Sequence, residues 1–134
     1  MSDKQRLYSS VQEGYKQFTD EAVQWLEKLR SDAFQQCKGS LCYIPANIDE
    51  PGAKPSYCCM GVWGLGTGLS NEQMRGIGFL SNIKVLGERA PFTTQQETLL
   101  SHLNDGQHLT FPQIAQFVAI NWTLFPNLTE DYTG

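Results

Sequence analysis

Four cysteines and two histidines carry most of the chemistry this chain could offer. Cys58 and Cys59 are adjacent in the stretch PSYCCMGVWGLGTGLS, residues 55–70, together with Trp63 and Gly61, Gly64, Gly66 and Gly68. Such a run suits a metal knuckle, a cysteine nucleophile, a phosphate cradle or close packing. As metal ligands, Cys37-x4-Cys42 and Cys58-Cys59 would be supplemented by His102 or His108. Structural zinc draws its ligands from tight knuckles such as C-x2-C, and neither pair has that spacing. Adjacent side chains point to opposite faces of a strand and about 100° apart on a helix, which hinders shared coordination. No metal site and no cofactor is expected.

As a nucleophile, Cys58 or Cys59 would need His102 or His108 as base, with Asn104 or Asp105 orienting the imidazole. No local signature surrounds either cysteine. Asn104-Asp105-Gly106 also reads as a helix stop, with Gly106 the natural residue for a left-handed turn. The leading reading therefore assigns no catalytic residue. The alternative is a cysteine-dependent enzyme using Cys58 or Cys59 with His102 and Asp105.

The glycines could cradle an anion, because they let backbone N–H groups face it. The run is not G-x-G-x-x-G, since Leu69 stands three after Gly66, and it lacks the Gly-Lys-Ser/Thr of a P-loop. A nucleotide-like ligand would be met by Trp63 stacking on its base, by Gly64, Gly66 and Gly68, and by Arg75 near its phosphate. The competing reading is packing: buried thiols and Val62 in the core, with the later glycines in a tight loop.

These residues must be positioned by the rest of the chain. At 134 residues it fits one domain, residues 1–134, with 1–17 a peripheral helix or arm. A hydrophobic share of 40% and an aromatic share of 11% supply a real core. Net charge is −4 with only 18% charged residues, so nothing draws the chain to nucleic acid or an anionic membrane. The start MSDKQRLYSS has no apolar leader core, and no apolar run approaches the roughly 20 residues of a membrane span. The expectation is a cytoplasmic protein with reduced thiols.

Ala22, Trp25, Leu26, Leu29 and Ala33 form one helical stripe over 20–33, with Thr19 or Asp20 as cap. Strands around 40–44 and 56–60 flank a proline-rich loop and are expected to pair antiparallel. Thr94 and Glu97 make a capping-box pattern for a helix over 94–104, with Leu99, Leu100 and Leu103 on its buried side. Thr110 and Gln113 repeat the pattern for a helix over 111–122. The short turn between them makes a C-terminal αα-hairpin. The second helix does not suit DNA: residues 111–126 contain no Lys or Arg. The fold class is α+β, mostly helical, with a small strand pair.

Three elements carry a resemblance. They are Gln36-Cys37-Lys38-Gly39-Ser40-Leu41, then Cys58-Cys59-Met60-Gly61-Val62, then Leu103-Asn104-Asp105 ahead of an amphipathic helix. In order and pattern, over roughly residues 20–120, the chain resembles a set of small bacteriophage and bacterial proteins with Gln-x-x-Gly-x-Leu, Cys-Cys-Leu-Gly-Val-like and Leu-Asn-Asp elements. That set has no assigned activity, so it implies a viral or mobile-element context and no site residue. Its members continue as a helix after the second element, where Gly64, Gly66 and Gly68 of this chain argue against one.

The reading that follows is a small accessory protein acting by non-covalent binding, in a counter-defence role. Its partner is a host or viral protein or a small nucleotide-like ligand, and neither nucleic acid nor membrane. Trp122, Phe125 and the flanking FPNL would form an interface patch if exposed, which also suits a homo-oligomer.

Overall fold

The computed structural model describes residues 18–31, 33–83, 86 and 91–129. The arm expected over 1–17 lies outside the described residues. Helix α1, Asp20–Ser31, opens with Thr19 Oγ1 accepting the Ala22 N–H at 3.2 Å. Asp20 and Glu21 lie at its positive end, and Lys28 and Arg30 in its last turn. It buries Ala22, Val23, Trp25, Leu26 and Leu29. The expected stripe is one residue too long. The helix stops at Ser31, whose hydroxyl donates to the Lys28 carbonyl at 2.7 Å, and Ala33 is exposed.

Strands β1, Cys42–Tyr43, and β2, Ser56–Tyr57, pair antiparallel with Cys42 opposite Tyr57 and Tyr43 opposite Ser56. The chain then enters α2, Cys59–Gly66, where the glycines argued for a loop. The correction has a packing cause. A Cβ at Gly61 would stand 2.9 Å from the Leu41 carbonyl carbon and nearer still to its oxygen. One at Gly64 would meet Met74 Sδ at 2.5 Å. These glycines weaken the helix in isolation, but they let its backbone press on Leu41, just before β1, and on α3, Asn71–Met74. Of Gly64, Gly66 and Gly68, the last alone sits in a turn. Its φ is +97°, its N–H donates to Leu65 O at 3.1 Å, and the Leu69 N–H reaches Gly64 O at 3.0 Å. That pair of bonds is a Schellman closure, which requires a left-handed residue at this position.

Helix α4, Thr94–Ser101, is capped one residue earlier than the sequence suggests. Thr93 and Gln96 form the capping box, while Glu97 is wholly buried. Leu100 is buried and Leu99 only partly. The helical run ends at Gly106, within the expected Asn104-Asp105-Gly106 stop, but its last turn is not α-helical. It widens into a π turn, His102–Gly106, and the left-handed residue is His108 at φ +58°, rather than Gly106. Helix α5, Phe111–Ile120, starts with the expected Thr110–Gln113 box and places Phe111, Ile114, Ala115 and Val118 in the core, largely against α1.

Trp122 lies beyond its end in a 3₁₀ turn, Trp122–Leu124. Phe125 and Leu128 fold inward, and the Thr19 N–H donates to Leu128 O at 2.9 Å. The architecture is α+β, mostly helical, with one two-stranded sheet among the described residues. No described helix is long and apolar enough to cross a membrane.

Candidate functional site

The three sequence elements meet. Gln36 Nε2 donates to Asn104 Oδ1 and to Leu109 O, each at 2.8 Å. Asn104 Nδ2 donates to Cys37 O and to Asp105 Oδ1, each at 2.8 Å. Asp105 Oδ2 accepts from the Gly39 N–H and from Ser101 Oγ, each at 3.2 Å. The Cys58 N–H donates to Leu41 O at 3.3 Å, beside the glycine that lets α2 approach. Asn104 is 1% exposed, so both of its amide groups have to be satisfied inside the protein, and they are. The π turn places Asn104 and Asp105 side by side at this junction; such turns recur at functional sites.

A hollow of about 240 Å³ opens at the junction, lined by Gly39, Ser40, Cys58, Met60, Gly78, Phe79, Ser101 and Asp105. Cys58 reaches it but is a poor nucleophile. Burial pushes its thiol up to about 12, and the nearby Asp105 carboxylate pushes the same way. Burial holds the Cys59 thiol well above the ordinary range as well. Burial likewise raises Cys37 and Cys42. His102 lies within 3.3 Å of Gln107 Nε2 and against Gly106, and His108 contacts Lys38 Nζ. Of the four alternative catalytic residues, the structure brings Cys58 and Asp105 to one hollow and leaves His102 outside its lining. Among the described residues, no three His, Cys, Asp or Glu side chains are placed to hold a metal ion.

The residues expected to meet a nucleotide divide between surroundings. Trp63 is 7% exposed, and its ring packs at steep angles against Trp25 and Phe92, with centroids 5.4 Å apart in each pair. Trp25 is fixed in turn by its Nε1–H donating to Cys59 O at 2.8 Å. Trp63 and Gly66 line a second hollow, of about 290 Å³, with Glu21, Gln24, Lys28 and Thr67 on its rim. Gly64, Gly68 and Arg75 are not in that lining. Gly64 packs on Met74, Gly68 closes α2, and the exposed Arg75 pairs with Glu72 at 3.8 Å.

Sequence reasoning missed Ser40, Ser101, Gly78 and Phe79. It also missed the Gln36–Asn104 pair, although both residues stand in the elements that carry the resemblance. It missed Glu97 too, whose Oε2 accepts the Ser81 N–H at 3.2 Å while its Oε1 is buried without a partner. Their positions depend on contacts between distant segments, which no local pattern encodes.

The fold and junction define a small α+β protein in which three separated sequence elements form one hydrogen-bonded unit beside a shallow hollow. Comparison with protein-family models, with curated proteins and with solved structures yields no match.

Proposed function

We propose that this chain is a small accessory protein of phage type that holds a host protein without covalent chemistry, in a counter-defence role. The viral context rests on the resemblance of its three elements. The binding mode rests on one observation: the two adjacent thiols are buried and held protonated, with Cys58 pushed up to about 12. A thiol attacks as its thiolate, so sulfurs in this state serve packing.

The two hollows, of about 240 and 290 Å³, lie at the small end of the roughly 300–1,000 Å³ range of clefts that enclose a drug-sized ligand. Near the end of α5, Ile120 is 67% exposed and Leu124 50% exposed, with half-buried Trp122 between them in sequence. Phe125 is buried and takes no part in this patch. Apolar side chains of this kind, free of Lys and Arg over 111–126, suit a protein contact.

A nucleotide-like ligand is the second reading, favoured by Lys28 beside Gly66 and Trp63. A thermal-shift series with nucleotides and cyclic nucleotides tests it, because a ligand of the native state raises the midpoint. The leading reading is tested by intact mass after incubation with a bacterial lysate. The expected result is an unchanged mass and a partner released by mild denaturant. A stable mass increment on a cysteine would instead support the enzyme built on Cys58 or Cys59 with His102 and Asp105.

A further inference from the structure

We propose that the hollow at the junction of the three elements is a receptor for an organic cation, a guanidinium or primary ammonium group. The inference rests on the non-covalent binding reading and names the chemistry that the site recognises.

The argument is a census of protons. Ser40 Oγ donates to Cys42 O at 3.1 Å, and Ser101 Oγ donates to Asp105 Oδ2 at 3.2 Å. The Gly39 N–H is also committed to Asp105 Oδ2, and Asn104 Nδ2 to Cys37 O and Asp105 Oδ1. The hydroxyl protons of the lining are therefore spent on the protein itself. What the two serines and Asp105 can still present to the hollow is lone pairs. A carboxylate has about four acceptor positions, and three of Asp105's are occupied.

Among the described residues that line the hollow, Asp105 alone has a formal charge at neutral pH, since burial keeps Cys58 protonated. The Phe79 ring and the Met60 thioether complete the wall. An aromatic face attracts a cation, and methionine adapts to an alkyl stem. With its hydroxyl protons spent and one negative charge, the site disfavours phosphate and carboxylate. It suits a group that brings several N–H donors and a positive charge. The source of that group is a lysine or arginine side chain of a partner, or a free amine of the same chemistry.

The test is a titration of the full ¹⁵N-labelled chain with n-butylguanidinium and n-butylammonium, with n-butanol as the neutral match. A blocked peptide with a single arginine forms a further arm. Both cations are expected to shift the amide resonances of Gly39, Ser40, Gly78 and Ser101, and butanol is not. Tighter binding of the peptide than of butylguanidinium assigns the group to a protein side chain, and the reverse assigns it to a free amine; either supports the site.

Asp105→Asn is expected to weaken cation binding at least about tenfold, because the charge-assisted bond is lost. Asp105 also ties Gly39 to Ser101, so a second variant guards against a folding defect. A Cβ at Gly78, a lining residue, meets nothing within 4 Å, so a side chain can start there without strain, and Gly78→Leu is expected to crowd the hollow and weaken binding in a folded protein. Equal shifts with butanol, shifts confined to other residues, or full cation binding by Asp105→Asn would overturn the proposal. A covalent thiol adduct would defeat the non-covalent reading instead, and leaves this titration readable.

Discussion

Gly61 lies against the carbonyl of Leu41 so closely that a Cβ would stand 2.9 Å from the carbonyl carbon and overlap the oxygen. The same oxygen accepts the Cys58 N–H at 3.3 Å. The start of α2 is thus joined to the entry of β1 backbone to backbone. This contact brings the cysteine element to the glycine element.

Two glycines of one helix should therefore respond in opposite directions. Alanine at Gly61 gains about 1 kcal/mol of helix propensity. It must also move a backbone carbonyl, and the net expectation is a loss of about 3 kcal/mol or more. At Gly66 the nearest atom to a new Cβ is Lys28 Nζ at 3.1 Å, the end of a flexible side chain. There the propensity gain survives, and Gly66→Ala is expected to stabilise by about 0.5 kcal/mol. Urea unfolding of the two variants checks both signs.

Gln36 and Asn104 are 68 residues apart in sequence and 2.8 Å apart in space. Asn104→Ala leaves Gln36 Nε2 short of one acceptor and Cys37 O without this donor, at an expected cost of about 2–3 kcal/mol. The pair shares a network, so a double-mutant cycle with Gln36→Ala should return a coupling of about 1 kcal/mol. Additive losses would mean that the bond contributes nothing of its own.

The buried thiols set a pH dependence whose sign follows from proton binding. In the unfolded chain Cys58 gives up its proton near 9.0; in the folded protein it holds it to about 12. Between these values the unfolded state binds fewer protons, so stability falls as pH rises through the window. Below the lower value the contribution is fully present. Cys59 is shifted in the same direction and steepens the slope. Denaturant titrations at pH 7 and pH 10.5 should show the loss, and Cys58→Ala should show less of it.

Surface charge at the end of α5 tests the protein-binding reading. Ile120→Lys and Leu124→Lys alter exposed positions and should leave stability within about 0.5 kcal/mol. Capture of the host partner should be lost in both variants. Retained capture would place the interface elsewhere.

Much of the scaffold was legible in the sequence because local signals decide it. The stripe from Ala22 to Leu29, the Thr110–Gln113 box and the proline-rich loop between the strands all act over a few residues. Propensity misled where tertiary contact outweighs it. The glycines of α2 argue for a loop until Leu41 and Met74 are seen pressing on them. Gly106 was the natural left-handed residue, yet the π turn passes that conformation to His108. Of the expected ligand set, Trp63 and Gly66 line one hollow while Arg75 pairs with Glu72, and no local pattern announces that division. The hollow beside Asp105 was not readable at all. It depends on three segments meeting, and the sequence shows only that each is there.

The central claim is that Cys58 and Cys59 stabilise the fold and perform no covalent chemistry. Its most direct test is iodoacetamide labelling of the native protein at neutral pH, read by peptide mass spectrometry. Both sulfurs should remain unmodified while native and become fully labelled in denaturant. Labelling of either one in the folded protein faster than a free thiol would contradict the account.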